Sequence, residues 1–353
     1  MKRIVILDPI SDDAAKRLAD ETGWAVEKRL GLSPDEVPAN VEDADVLIVR
    51  SSTKLTAEVI QAARRLKVIG RAGIGVDNID MEAASEREIR VINTPGATTT
   101  SVAELTLGAM LSLARWIHAG DASVHAGEWN RSQFQGFELK GKLLGIIGMG
   151  RIGREVARLA QAFGMRVVAH DPFLPGKSVG GVPLETMDNV LSRADFVSLH
   201  VPLDDESKGL LGRDELEKMK RGAYLLNFGR GGLVDEEVLA DLLDRGHLAG
   251  CALDTYATEP PGATIDRLRD HKRSLLLPHL GAQTREGQIR VGMELVDAVA
   301  KAVKRFMSDR TARLAAEKEE AEAAAAAEIE AAIAESTGGS GPVAGEGAAG
   351  PGS

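Results

Sequence analysis

Short aliphatic, β-branched runs alternate along the chain with stretches in which apolar positions recur at helical spacing. The runs RIVIL (3–7), ADVLIVR (44–50), LKVIGRAG (66–73) and IRVINTPG (89–96) are separated by segments such as TAEVIQAARR (56–65). Strands that read as nearly continuous apolar runs are buried on both faces, with helices as crossovers, so this pattern predicts a parallel sheet. In SVAELTLGAMLSLARWI (101–117), Ser101 and Glu104 stand at capping-box spacing, and the segment then runs apolar on nearly every face. That predicts a helix lying between domains or subunits rather than one facing solvent. A second β/α series follows in KLLGIIGMGRIG (142–153), RVVAHDP (166–172), DFVSLHVP (195–202), AYLLNFGRGG (223–232), GCALDTY (250–256) and SLLLPHLG (274–281). Two series predict an α/β protein with two sheets in two domains.

Composition changes this picture little. With 353 residues and 44% apolar content, each domain can bury its own core. No window is apolar enough for a membrane span, and MKRIVILDPI meets an aspartate where a secretory leader would continue, so a cytoplasmic protein is expected. The single cysteine, Cys251 in LAGCALD, excludes an internal disulfide framework and a multi-cysteine metal site; it reads as buried packing, and no metal is expected. The formal charge of −10 argues against nucleic acid as a partner, although nine acidic against three basic residues lie from Met307 onward. An Ala/Glu-rich stretch at 307–336 predicts a helical tail without a core, and the Gly-rich 337–353 predicts disorder.

Chemistry enters with GIIGMGRIG, which sets Gly148, Gly150 and Gly153 in G-x-G-x-x-G spacing between an apolar strand and the helical REVARLAQAFG. The first glycine allows a tight turn, the second lets backbone approach a pyrophosphate, and the third permits close packing of a helix whose N-terminus attracts the anion. Asp171 ends the next strand, where a carboxylate accepts from a ribose diol and repels a 2′-phosphate, so NAD is expected over NADP. Arg151, inside the loop, contacts the pyrophosphate or is simply solvated. Hydride transfer to or from a carbonyl also needs a proton carrier, a group to orient it, and a cation for the substrate carboxylate. His279, Glu259 and Arg230 stand at successive strand ends of the second series and fit those three roles. Each has a plain alternative: a core histidine, a solvated loop acid, a surface cap. His200, in SLHVP, is the other histidine at a strand end near the expected cofactor.

The blocks VRSSTKLT, GRAGIGVDNID, NTPG, SVAEL, GMGRIGREVA, NFGRGGLVDE, ALDTYATEPP and PHLGA, in order over about residues 3–306, resemble the D-isomer-specific 2-hydroxyacid dehydrogenases. The resemblance implies a Rossmann NAD-binding domain (99–282) inserted in a discontinuous flavodoxin-like substrate-binding domain (1–98 and 283–306). It also implies that Arg230 binds the substrate carboxylate, that His279 is the acid/base and that Glu259 is its partner. Implied cofactor contacts are Ile74, Arg151, Ile152, Asp171, Val201, Phe228, Gly229, Asp254, Gly281 and Ala282. Implied substrate contacts are Arg50, Ser51, Gly73 and Gly75, with Arg131 reaching a neighbour's phosphate across a homodimer that can extend to a tetramer. Thr98, Gln283 and Ile74 depart from residues common in the family, which bears on fine substrate geometry.

The activity implied is oxidation of 3-phospho-D-glycerate to 3-phosphohydroxypyruvate, the first step of serine biosynthesis. Arg50, Lys54, Arg71 and Arg131 are the cations on hand for the phosphate. Two alternatives stay open: action on glyoxylate, hydroxypyruvate or lactate, and an NADH-sensing corepressor-like scaffold. The regulatory domains of longer members do not follow in this sequence, so serine feedback through such a domain is not expected.

Overall fold

The computed structural model describes residues 2–308. The first sheet contains β1 (Arg3–Ile6), β2 (Ala25–Lys28), β3 (Val46–Val49), β4 (Val68–Arg71) and β5 (Arg90–Asn93), all parallel, in the order β2-β1-β3-β4-β5. The central β3 is buried at all four positions because both faces are covered, as its unbroken VLIV predicts. One face carries Val59, Ile60, Leu66 and Ile89. The other receives the helix that begins at residue 285, through Leu295 and Val299. A Cβ on Gly70 of β4 would lie 2.7 Å from the Ile48 Cδ1 atom and 2.9 Å from a Val299 methyl, so only glycine lets that helix approach.

The second sheet is also parallel: β6 (Leu143–Ile147), β7 (Arg166–His170), β10 (Phe196–Leu199), β11 (Tyr224–Asn227), β12 (Gly250–Leu253) and β13 (Ser274–Leu276), in the order β13-β12-β11-β10-β6-β7. A small hairpin, β8 (Ser178–Val179) with β9 (Val182–Pro183), lies beyond β7, and a parallel bridge between Ala169 and Leu184 extends that edge. The chain therefore runs outward from β6 in one direction and, from β10 on, in the other. That reversal opens a crevice at the carboxyl ends of β6 and β10, where ligands bind in doubly wound sheets.

The helix Thr99–Arg115 packs Val102, Leu107, Met110 and Leu113 into the core of the second sheet. The capping box expected at its start does not form: the helix begins two residues before Ser101, and its cap, Thr98, makes no side-chain bond. Ser101 is engaged elsewhere, its hydroxyl 2.7 Å from that of Thr284. The Arg290 Nε–H donates to the Ala97 carbonyl at 2.8 Å, so the two passages of chain between the sheets are tied to each other. No helix among the described residues is long and apolar enough to cross a membrane. Most of the Ala/Glu-rich tail, from 309 onward, lies outside the described residues.

Candidate active site

The phosphate loop takes the form its glycines require. Gly148 has φ +94°, a conformation disfavoured for side chains, as it turns out of β6. Around Gly150 an added Cβ would meet nothing within 4 Å, which leaves its backbone open to a ligand. A Cβ on Gly153 would lie 2.1 Å from the Gly148 carbonyl oxygen, so the helix Arg151–Ala162 can seat against the turn only with glycine there. No side chain caps this helix, and its first N–H groups stay available to an anion. Arg151 is exposed beside them, Ile152 half-buried, and Val201 lies against the turn, its methyl 2.7 Å from where a Gly148 Cβ would be.

Asp171 follows β7 at the rim of the loop. Its Oδ2 accepts from the Met149 N–H at 2.9 Å and its Oδ1 from the Phe173 N–H at 3.1 Å. The carboxylate thus shapes the glycine loop, a role the motif did not reveal. His200, the other strand-end histidine, is no proton carrier. Burial pushes its imidazole down to about 3, and one ring nitrogen lies 2.9 Å from the Ser198 hydroxyl.

Arg230, Glu259 and His279 follow β11, β12 and β13, three adjacent strands. The His279 Nδ1 and the Glu259 Oε2 are 2.8 Å apart, and both side chains are partly open to solvent, at 49% and 38% exposure. Their loops are tightly held. The Glu259 Oε1 accepts from the Tyr256 N–H at 3.2 Å, the Tyr256 hydroxyl donates to the Leu277 carbonyl at 2.9 Å, and the buried Glu236 accepts from the Ala257 N–H at 2.7 Å. A Cβ on Gly231 would overlap the Tyr256 carbonyl oxygen at 1.6 Å, so the loop bearing Arg230 lies directly against the loop bearing Glu259. Asn227 shapes the Arg230 loop from within, donating to the Arg230 carbonyl at 2.8 Å and accepting from the Gly229 N–H at 3.2 Å. Phe228 is buried beneath it.

His279 itself has φ +55°, a left-handed conformation uncommon for a side-chain-bearing residue. Asp254, buried at the end of β12, holds that turn: it accepts from the Leu280 N–H at 2.7 Å and the Gly281 N–H at 2.8 Å. Burial pushes the Asp254 carboxyl up, against the effect of those two donors. Ala282 follows in the same turn, half-buried.

The first sheet supplies cations. The loop after β4, with Gly73, Ile74 and Gly75, lies against Arg230: a Cβ on Gly75 would be 2.1 Å from the Arg230 Nη2 atom. The Arg71 guanidinium folds onto Gly73, whose φ of +145° and missing Cβ make the space. Burial first, then the charges of Arg230 and Arg50, push Arg71 down to about 10, while Asp77 and Asp8 oppose the shift. Three arginines therefore share one field, a ready site for an anion. Arg50 and Ser51 sit in a loop organised by Asp8, which accepts from the Arg50 N–H at 2.6 Å and the Thr53 hydroxyl at 2.7 Å. The Asn78 amide donates to the carbonyls of Arg50 at 2.8 Å and Thr53 at 2.6 Å, locking this loop to the one after β4.

Sequence reasoning overlooked Asp8, Asp77, Asn78, Asn227 and Glu236. Their signal was acids and amides beside strand ends, a pattern shared with many ordinary turns. Arg131 stands apart, exposed in the 3-10 turn Arg131–Phe134, where Phe134 meets Trp116 edge-on at 6.2 Å and the nearby Trp129 is 80% exposed.

Residues 107–281 match the family model described as D-isomer specific 2-hydroxyacid dehydrogenase, NAD binding domain. The chain is 42% identical over 321 residues to a D-3-phosphoglycerate dehydrogenase of Methanocaldococcus jannaschii, covering 89% of this chain and 60% of that protein. It is 42% identical over 302 residues to a hydroxypyruvate reductase of Thermotoga maritima, covering 85% of this chain and 97% of that one. The crystal structure of the TT0316 protein from Thermus thermophilus superposes with a TM-score of 0.77 at 40% identity, over 83% of this chain and 94% of that one.

Proposed function

The chain belongs to the D-isomer specific 2-hydroxyacid dehydrogenase family, and from that premise we propose that it oxidises 3-phospho-D-glycerate to 3-phosphohydroxypyruvate with NAD in the cytoplasm. The observation that carries the reading is the pairing of the His279 and Glu259 side chains beside a cluster of three arginines. We take residues 1–98 and 283–306 as the substrate-binding domain, 99–282 as the NAD-binding domain, and a homodimer through the latter as the working assembly.

The glycine cradle fits a dinucleotide, since Gly150 is open and the helix N-terminus uncapped. Gly148, Gly150, Arg151, Ile152 and Gly153 would hold the pyrophosphate, and Asp171 the ribose. Val201, Phe228, Gly229, Asp254, Gly281, Ala282 and Ile74 would line the nicotinamide side. Bound there, NAD would supply the hydride acceptor for the reaction. The protein's own part is then to fix the acid and move one proton. Arg230, Arg71 and Arg50, with Ser51 and the backbone at Gly73 and Gly75, bind the carboxylate and phosphate. His279 takes the C2 hydroxyl proton on Nε2 while Glu259 holds Nδ1, fixing the ring and stabilising the imidazolium that forms. Arg131 would reach the phosphate in a neighbouring subunit.

A second reading, reduction of an unphosphorylated 2-keto acid, is favoured by the match to the Thermotoga protein over nearly all of its length. The chain spans only 60% of the Methanocaldococcus relative. A panel separates the two: 3-phospho-D-glycerate, D-glycerate and D-lactate with NAD and NADP, and hydroxypyruvate and glyoxylate with NADH. The expected result is the highest kcat/KM for the phosphorylated acid with NAD. A clear preference for an unphosphorylated acid would overturn the substrate, and tight NADH binding without turnover on any of them would overturn the enzyme.

A further inference from the structure

We propose that Asp77 is a positioning residue for Arg230, holding the guanidinium by its Nε edge so that its terminal nitrogens present a fork to the substrate's carboxylate. The inference rests on the reading of the site given above and adds a residue to it.

The Arg230 Nε lies 3.2 Å from the Asp77 Oδ2, and the Arg230 Nη1–H donates to the Gly229 carbonyl at 2.8 Å. A guanidinium has five N–H groups; with those two engaged, one on Nη1 and both on Nη2 remain, on the edge suited to two parallel bonds with a carboxylate. The Nη2 atom is the one against Gly75, and a Cβ there would also come 2.3 Å from the Asp77 Oδ2. Glycine at 75 therefore lets the carboxylate and the guanidinium meet against the same stretch of backbone.

Stability gives no reason for the pair. Asp77 is 51% exposed, and an ion pair in such a setting contributes little to folding. Its partners are separated by 153 positions and stand on loops of the two different sheets, so its geometric effect falls where the loops of both sheets meet. Arg71 repels Arg230 from the first-sheet side, and without a counter-charge on its Nε edge the guanidinium would rotate away from it. Asp77 opposes that rotation while leaving the fork free.

The test is steady-state kinetics of the full chain with Asp77→Ala and Asp77→Asn, together with calorimetric titration of oxalate, a small dicarboxylate, in the presence of NADH. Asp77→Ala is expected to lose about 10-fold or more in kcat and a similar factor in oxalate affinity, with NADH affinity and Tm unchanged. Asp77→Asn, whose amide oxygen still accepts from Nε but carries no charge, is expected to recover only part of both. An Asp77→Ala variant with unaltered kcat, or one with lower KM and tighter oxalate binding, would overturn the inference; the latter would make Asp77 a mere occupant of the substrate's place. A parent chain that neither turns over any of the acids nor binds oxalate would instead sink the reading of the site, and the inference with it.

Discussion

His279 illustrates how much a single residue can carry. Its left-handed backbone costs on the order of 1–3 kcal/mol, and it persists because Asp254 binds the next two N–H groups. A core histidine has no need of such support, whereas one that must aim a ring nitrogen at a reacting atom does. His279→Ala is expected to lower kcat by about 10²–10⁴-fold while NADH affinity, followed by fluorescence titration, is unchanged. Unaltered turnover would return His279 to a structural role. The residue types were legible in the sequence, because few side chains titrate near neutrality or fork onto a carboxylate. Their pairing came only through the family resemblance, since 20 positions separate Glu259 from His279 and it is the order of β12 and β13 that brings them within 2.8 Å.

At the scale of elements, the strand, loop and helix from Leu143 to Ala162 behave as one unit with Asp171. The glycine spacing was readable because each glycine answers a separate steric demand, and all three demands appear at the expected places. Less readable was the bond from the Met149 N–H to Asp171, which makes the loop and the carboxylate interdependent. Asp171→Ala is therefore expected to weaken NAD binding by about 10-fold or more and to admit NADP. Asp171→Asn, which can still accept from Met149, should lose less of the NAD affinity. The ratio of kcat/KM for NAD and NADP in the two variants is the measurement, and unchanged discrimination in both would remove Asp171 from the ribose. The missed capping box has a similar lesson. Ser101 and Glu104 have the right spacing, but Thr284 competes for the serine hydroxyl from 183 positions away.

For the whole molecule, the buried His200 links folding to pH. In the native protein it stays neutral down to about 3, while an unfolded histidine binds a proton below roughly 6.5. Between those values the unfolded chain holds the extra proton, so this group makes stability fall as pH falls, by up to about 1.4 kcal/mol per pH unit. Thermal melts from pH 4 to 7 should show a shallower acid loss for His200→Gln than for the parent chain. Equal slopes would mean that the imidazole is protonated in the native state. The same scale holds the tie between the two chain passages, Ser101 to Thr284 and Arg290 to Ala97, which sets how the two sheets' loops face each other.

Sequence alone determined the two parallel sheets, the dinucleotide loop and the kinds of side chain available for the chemistry. Those depend on local sterics and on periodic burial, which nearby residues encode. Only the tertiary structure decided that Arg71, Arg50 and Arg230 share one field, that Asp77 stands on the edge of Arg230, and that Asp254 and Glu236 hold the loops of the acid/base pair. Such arrangements are electrostatic and hydrogen-bonded contacts between distant segments, and their partners are chosen by strand order and loop packing rather than by neighbours in the chain.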